Sequence, residues 1–583
     1  MHGGDIAIIS PSKLVSRHRY VLLAIALSVF VWAPLTYPGY FQAHSGFVPF
    51  FNLLHLSGIP LSLGWMPSIA THYDPLRSDG YLAYYLARLL LASGMTVISG
   101  IKVVFALSWV LGTLGMYWWL RRPLGAAGAC LAALVYSYLP YRIAAVYVRG
   151  AWGEALCLGL IPLGFATALG MHSHKLPRRS LVLSSLAWLL IGLSQLGLGL
   201  WAFLCLLSWW ALSGDWRIRF RPVLAAGGGC VGATIFSLWT AGWHTRTGGE
   251  DFFNHFLYPA QLVSPYWGFG ASRPGWNDGL SLGLGLAPVA LAFVTLFLLL
   301  KQARTKHKHS SPAEIEHADS LHSERVSWKA PLLTAAGLIL LTLPVSAPFW
   351  RLSSLFQLLT YPWQLIGLAG MCLSVAAGGV LHLRSRLCMP SIQAVLIGFV
   401  LLASYSYLQP RYSQYVPAGE PQASWGGYQI LLLEAYVEVE IPSTAAGLPV
   451  STSGRLPLDE YGAPRPGDIL HLILTWQATK SLERDLKLFA HLLDTSEILL
   501  SQADPLLGAA ANPEVPGKDY LTSQWELGRL IVTDTAIYVP GDAPSGPYHI
   551  AVGLYESETG QRWPVDDTDD DKITLDLSRQ DNL

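Results

Sequence analysis

The chain has 583 residues, 52% of them hydrophobic and only 13% charged. Soluble domains carry about twice that charge, so a wholly water-soluble protein is excluded. A formal net charge of zero likewise excludes a broad basic field for nucleic acid.

Lys13, Arg17 and Arg19 precede the first apolar block. Its far end, TYPGYFQAHS, lacks a small-x-small cleavage pattern, so the block reads as a retained helix and not a removed signal. From Tyr20 to Leu408, apolar blocks of about 17–25 residues alternate with short polar breaks, and that length matches a bilayer core. The predicted spans are 20–36, 98–120, 125–140, 153–171, 180–196, 197–213, 222–243, 281–301, 329–345, 356–381 and 391–408, about eleven transmembrane helices in a polytopic α-helical membrane domain. Segment 81–98 is read as an outer-surface or re-entrant helix. That choice places every later basic knot inside: Arg121–Arg122, HSHKLPRR (172–179), RIRFR (217–221), KQARTKHKH (301–309) and HLRSR (382–386). Arg88 in mid-segment agrees, because a lipid-facing arginine at mid-bilayer is costly. Residues 1–19 are then cytoplasmic, 20–408 form the membrane domain, and 409–583 lie outside the cytoplasm. The outer loops are 37–97, 141–152 and 244–280, and 302–328 is a solvated cytoplasmic loop. All six cysteines lie in or beside apolar runs, with no CxxC spacing and no disulfide framework.

The first outer loop holds His44, His72, Asp74, Arg77 and Asp79. Such groups at a membrane surface suit acid–base or metal work, although loops are also where polar residues belong, and Asp79-Gly80 is an ordinary turn signal. The second loop lies in YSYLPYRIAAVYVRGAWGEAL (136–156). Arg142 and Arg149 are seven apart, so a continuous helix sets both guanidiniums on one stripe near Tyr138, Tyr141 and Tyr147. Two such forks suit phosphate oxygens, and interfacial anchoring accounts for arginines and tyrosines equally well. Glu154 opens the next helix, where a carboxylate also complements the helix dipole. The third loop, within 244–285, holds Trp267, Trp276 and Asp278 among Arg246, Glu250, Asp251, His255 and Arg273. Aromatic rings beside carboxylates are what a sugar site uses, since a ring packs on the CH face of a pyranose; an interfacial tryptophan belt is the alternative.

Beyond Gln409 the texture changes. Residues 424–440 and the runs GDILHLILTWQAT, LKLFAHLLD, LIVTDTAIYV and YHIAVGLYE are strand-length and bounded by Pro, Gly or Asp. Their spacing predicts a C-terminal β-sandwich with Trp476, Phe489 and Tyr548 in its core.

Several strings carry a resemblance: GYFQAHSGF, DPLRSDGYLAYYL, YLPYRIAAVYVRGAWGEALCLGLIPL, SPYWGFGASRPGWNDGLSLGLG and LLTYPWQLIGLAG, with GDILHLILTWQA, KLFAHLLD, SQADPLLG, APSGPYHIAVGLYE and TGQRWPV behind them. Together they resemble, over nearly the whole chain, the bacterial "6-pyruvoyl-tetrahydropterin synthase-related domain, membrane protein" family with a fused β domain. That family is itself similar to the GT-C superfamily of polytopic glycosyltransferases. The resemblance implies an active site at the outer face of the plasma membrane, a polyprenyl-phosphate-linked sugar donor held among membrane lipid, and a glycan or protein acceptor. It further implies an acidic base from the first outer loop. Asp74 or Asp79 is the expected base, with Glu154 as a further catalytic carboxylate. His44, Tyr141, Arg142, Arg149, Trp267 and Asp278 are the expected substrate-binding residues. No cofactor is fixed, and dependence on a divalent metal stays open. The chain departs from the family at three places: His44-Ser45 stands for a usual His-Asp pair, Gln364 for an Arg after Tyr-Pro-Trp, and Gln195 for a His. The alternative is a non-catalytic membrane protein that binds or presents a lipid-linked glycan or a cell-surface polymer.

Overall fold

The computed structural model describes residues 11–37, 39–41, 46, 49–50, 53, 80–169, 178–212, 216–241, 249–270, 272, 274–276, 278–309, 328–353, 355–413, 422–427, 429–440, 455–480, 482–512, 517–526, 529–566, 568 and 570–577. It divides into two compact units. One holds the helices up to Pro410; the other holds Gly39–Phe41 and the chain from Arg411 onward.

The first unit is built from α1 (Pro11–Trp32), α2 (Tyr81–Ala92), α3 (Val97–Leu120), α4 (Gly125–Ser137), α5 (Pro140–Tyr147), α6 (Trp152–Leu169), α7 (Arg178–Ser194), α8 (Leu196–Leu212), α9 (Trp216–Ala241), α10 (Gly249–Asn254), α11 (Pro259–Val263), α12 (Leu286–His309), α13 (Lys329–Thr342), α14 (Ala347–Ser353), α15 (Ile366–Leu383) and α16 (Pro390–Ser404). Among the described residues, six helices are long and apolar enough to cross a membrane. The number rises to eight if two bent pairs each count as one span: α4 with α5, bent by 41°, and α13 with 344–353, bent by 88°. The expected number was eleven. The difference lies in helices such as α8, whose 17 residues reach about 26 Å, at the short end of what crosses a ~30 Å core. It lies also at Leu343–Pro344, where extended backbone ends α13. Helix α2 has 12 residues and is too short to cross alone.

The surface of this unit is apolar where lipid would lie. Val182, Leu224, Ile235, Trp239, Phe293 and Phe297 are all exposed on α7, α9 and α12. In water such side chains would be a liability; against acyl chains they cost nothing. The interior is built around α6 and α15, which are buried over most of their length. Small residues permit the close approaches: Gly159 of α6 lies on the Ser108 backbone of α3, and Gly128 of α4 and Gly378 of α15 face each other backbone to backbone. Tyr20 of α1 donates to Gln393 of α16 at 3.1 Å. Further along both helices, Tyr138 donates to the Leu27 carbonyl of α1 at 2.6 Å and Ser404, at the end of α16, donates to the Tyr138 carbonyl at 3.1 Å, so α1 and α16 run in the same direction.

The second unit holds two five-stranded antiparallel sheets. The first is ordered β3 (Ala423–Trp425), β4 (Ile430–Glu440), β6 (Ile469–Ala478), β9 (Leu530–Tyr538), with β5 (Arg455–Pro457) on β4. The second is ordered β11 (Arg562–Trp563), β10 (His549–Glu556), β7 (Leu486–Leu493), β8 (Leu499–Ala503), with β12 (Ile573–Asp576) on β10. A short pair, β1 (Tyr40–Phe41) with β2 (Tyr412–Ser413), stands apart. Strand β9 alternates strictly, with Ile531, Thr533, Thr535 and Ile537 buried between exposed neighbours, which is the period-2 pattern of a half-buried strand. One core takes Val437, Leu472, Leu474 and Trp476 from the first sheet and Leu488, Leu492, Ile550 and Val552 from the second. Trp476 also donates its indole N–H to Thr533 at 2.8 Å. Tyr548 belongs to this core, whereas Phe489 does not. On β7 the core takes Leu486, Leu488, Ala490 and Leu492, so alternation turns Phe489 to the opposite face, beneath the Arg562 guanidinium at 4.3 Å.

On the outer face of the first sheet, Asp534 accepts from Arg455 at 2.6 Å and lies 2.9 Å from His471 Nδ1. Partial burial pushes the Asp534 carboxyl up, but the hydrogen bonds from Arg455 and His471 outweigh it and hold the group below its usual range. A carboxyl depressed on folding contributes stability above its unfolded pKa of about 4, and that contribution is lost as pH falls through the lower folded value. In thermal unfolding of the detergent-solubilised protein, Asp534→Asn is expected to lower the melting temperature of the β unit at pH 7 and to flatten its decline below about pH 4. The effect is modest because Asp534 is 41% exposed. A variant that melts like wild type at pH 7 would contradict the assignment.

Candidate functional site

Two polar constellations lie in the membrane unit. The first is centred on Glu154, which is fully buried in the first turn of α6. Helix α5 ends at Tyr147, and the chain closes with Ala151 N–H on the Ala145 carbonyl and Gly150 at φ +65°. The Gly150 N–H also bonds the Val146 carbonyl at 3.2 Å, which makes this an αL-type stop, one that favours glycine at the left-handed position. The turn throws Arg149 back toward Glu154. Arg149 donates Nη1 to Oε1 at 2.7 Å and Nη2 to Oε2 at 2.9 Å. Tyr141 donates to Oε1 at 2.5 Å, and Gln364 Nε2 donates to Oε2 at 2.9 Å. A carboxylate has about four acceptor positions, and all are filled. Gln364 is fixed in turn, because its Oε1 accepts from the backbone N–H of Thr360 and Tyr361.

The Arg149 guanidinium also lies over the Trp363 ring, at 4.7 Å. Trp363 stacks on Tyr361 at 4.8 Å with 12° between the planes, and Tyr361 meets the His255 ring edge-on at 4.9 Å. A continuous column thus runs from the ion pair to the third loop, where His255 hydrogen-bonds Ser272 at 2.9 Å.

Arg142 is not part of this arrangement. The expected single stripe needs an unbroken helix from 142 to 149, and α5 stops short of Arg149. Arg142 is only 3% exposed and donates to the Ser108 carbonyl at 3.0 Å and the Tyr136 carbonyl at 3.4 Å. In an unbroken helix, residue 140 would donate to the Tyr136 carbonyl, but Pro140 has no N–H. Arg142 serves that carbonyl at the bend between α4 and α5, with its guanidinium 4.3 Å above the Tyr136 ring. Gly112 makes room for it: a Cβ there would lie 2.9 Å from Nη2. Phosphate recognition by Arg142 therefore has no surface to work from.

The second constellation is a cavity of about 410 Å³ in the third loop, lined in part by Gln261, Ser264, Tyr266, Trp276, Asp278 and Ser281. This is within the range of small-ligand pockets. Tyr266 is 53% exposed and Trp276 72%. Gln261 accepts from the Tyr258 N–H at 2.7 Å and donates to Asp278 Oδ2 at 3.1 Å, which orients the carboxylate. Ser281 donates to the Tyr266 carbonyl at 2.8 Å and holds the wall under that ring. Trp267 does not line this cavity; it packs on Phe269 and Tyr407 instead. Sequence reasoning placed Asp278 in the site but left out Gln261, Tyr266 and Trp276. Gly275, at φ +95° beside Trp276, was the available sign of a turn presenting that ring.

The two constellations are joined at a second place. Gly285, at the end of the cavity wall, packs on the Pro140 ring next to Tyr141, so closely that a Cβ would approach Pro140 Cδ to 2.7 Å. Of the remaining expected residues, His44, Asp74 and Asp79 lie outside the described residues. Among the described residues, no three His, Cys, Asp or Glu side chains are placed to hold a metal ion.

No family model matches the chain, and no curated protein matches it. Solved structures similar to it include the arabinofuranosyltransferase AftD from Mycobacteria, at 17% identity and a TM-score of 0.42, covering 68% of this chain and 27% of that one. An oligosaccharyltransferase from Archaeoglobus fulgidus, in the apo form, aligns at 14% identity and a TM-score of 0.37, over 70% of this chain and 57% of that one. The chain thus spans about a quarter of the first protein and just over half of the second.

Removing one member of a buried ion pair costs about 3–5 kcal/mol, because the other charge is left uncompensated. Arg149→Met and Glu154→Leu are each expected to destabilise the solubilised protein by about that amount, and the double variant by clearly less than their sum. A double-mutant cycle on unfolding midpoints checks this, and simple additivity would contradict it.

Proposed function

We propose that the chain is a GT-C-like membrane glycosyltransferase, or a diverged relative, that uses a polyprenyl-phosphate-linked sugar at the outer face of the membrane. The observation that carries the reading is the cavity in the third loop. Two exposed aromatic rings, an oriented carboxylate and hydroxyl groups form a site suited to a sugar ring, with ring faces for CH groups and acceptors for hydroxyls.

In the proposed reaction an acceptor hydroxyl attacks the anomeric carbon. The bond from that carbon to the phosphate oxygen breaks, the lipid phosphate leaves with the electron pair, and the anomeric configuration inverts. Asp74 or Asp79 takes the hydroxyl proton. Glu154 has its acceptor positions filled, so its role is to hold Arg149, and Arg149 supplies the positive charge nearest the lipid phosphate. Arg142 has no part. The parallel course of α1 and α16 supports an odd number of crossings. With the basic residues before Tyr20 inside, the chain then leaves α16 on the outer side, where its two sheets form the proposed β-sandwich.

The test is transfer from labelled polyprenyl-phosphate sugars by the purified protein, comparing wild type with Asp74→Asn, Asp79→Asn and Trp276→Ala. Loss of an acid–base group typically costs 10²–10⁴-fold in rate. One of the two Asp variants is expected to lose transfer on that scale while still binding the lipid, and Trp276→Ala is expected to bind the sugar more weakly. Tight donor binding without transfer in wild type would overturn the enzyme reading in favour of a protein that binds or presents the glycan.

A further inference from the structure

We propose that β9 is the contact through which two copies of this chain pair, the two edge strands running antiparallel about a two-fold axis at Asp534. Strand β9 ends the first sheet. Its ladder to β6 runs from Ile469 opposite Tyr538 to Gln477 opposite Leu530 without a register shift, and among the described residues no strand lies on its other side. An edge strand presents a row of backbone N–H and C=O groups to any further strand, and natural edges are blunted by lysine, proline, a bulge or shortness. Strand β9 has none of these: it is nine residues long, LIVTDTAIY. Such a row is matched by another extended backbone, so its partner is a polypeptide and not a sugar or a lipid chain.

The order of residues in β9 points to a second copy as that polypeptide. Outward from Asp534 in both directions the residues match in kind: Thr533 with Thr535, Val532 with Ala536, Ile531 with Ile537 and Leu530 with Tyr538. Two antiparallel copies centred on Asp534 therefore set every residue opposite its match, and Thr–Thr and apolar pairs directly opposite are favourable. A centre one residue along, at Thr535, loses this: Asp534 then meets Ala536 and Thr533 meets Ile537. The faces agree as well. Ile531, Thr533, Thr535 and Ile537 stay on the buried side in both copies, so the two first sheets join into one. Leu530, Val532 and Tyr538, which are 43%, 54% and 51% exposed, gain apolar neighbours on the outer side. The central pair brings two carboxylates together, and each arrives with its own partners, Arg455 at 2.6 Å and His471 Nδ1 at 2.9 Å. A self-complementary contact of this kind closes at two copies, and a single strand pair is small enough to be reversible.

The experiment is disulfide trapping of the full chain in proteoliposomes, in a background where the exposed Cys388 is replaced by serine. A residue on the two-fold meets its own copy, and opposite Cβ atoms in an antiparallel pair lie about 4.5–5.5 Å apart, close to disulfide reach. Asp534→Cys is therefore expected to give a covalent dimer by itself. Val532→Cys and Ala536→Cys are each expected to give little dimer alone, and to give it when the two variants are reconstituted together, a mixture that leaves Asp534 in place. A chain carrying both Val532→Glu and Ala536→Glu sets like charges opposite each other twice. It is expected to dimerise roughly tenfold more weakly than wild type, read by energy transfer between labelled copies. Trapping as strong for Val532→Cys alone as for the mixture would overturn the register about Asp534. Monomer throughout, or a dimer indifferent to the two glutamates, would overturn the pairing itself.

Discussion

The membrane unit depends on one buried carboxylate whose charge is met from four sides. Glu154 sits in the interior of a structure with an apolar exterior, where an unpaired charge would cost several kcal/mol. Arg149 meets it in two parallel hydrogen bonds, and Tyr141 and Gln364 take the remaining positions. These donors come from the start of α5, the turn behind it and the segment leading into α15. One side chain thereby fixes where three elements converge. Gln364 fits this arrangement because it donates without adding a second positive charge, so the cluster stays neutral.

The same convergence holds the cavity in place. Trp363 stacks under Arg149 and Tyr361 under Trp363, and Tyr361 meets His255 of the third loop. On the other side the cavity wall rests on Pro140 through Gly285. Pro140 and Arg142 form a second device at the same height in the chain. The proline breaks the helix, and the arginine, together with the Leu139 N–H, serves the carbonyl that the break leaves behind. In lipid a freed backbone group must find a partner inside the protein, and that requirement explains a buried arginine without recourse to a ligand.

Much of this was legible in the residues. Block length and basic knots gave a membrane unit followed by strands, and Asp278 stood out among aromatics. What was not legible depended on breaks and on long-range partners. Seven-residue spacing aligned Arg142 with Arg149 only if the helix ran on, and Gly150 stopped it. Gln364 lies 210 residues from Glu154, a separation no local pattern reports. Apolar runs such as 197–213 read as spans by composition, and the helix formed there has 17 residues, at the short end of what crosses a bilayer. Phe489 looked like core by its type, and the register of β7 turned it out. Trp276 read equally well as part of an interfacial belt, and the turn at Gly275 brings it to one cavity with Tyr266.

The most direct test of a sugar site in the third loop is covalent. A polyprenyl-phosphate sugar bearing a photoreactive diazirine on the ring is bound to the protein in nanodiscs, irradiated, and the labelled peptide mapped. Label between Tyr258 and Gly285, competed by the unmodified sugar, is the predicted result. Label confined to the β sheets between Arg455 and Asp576, or insensitive to competitor, would contradict it.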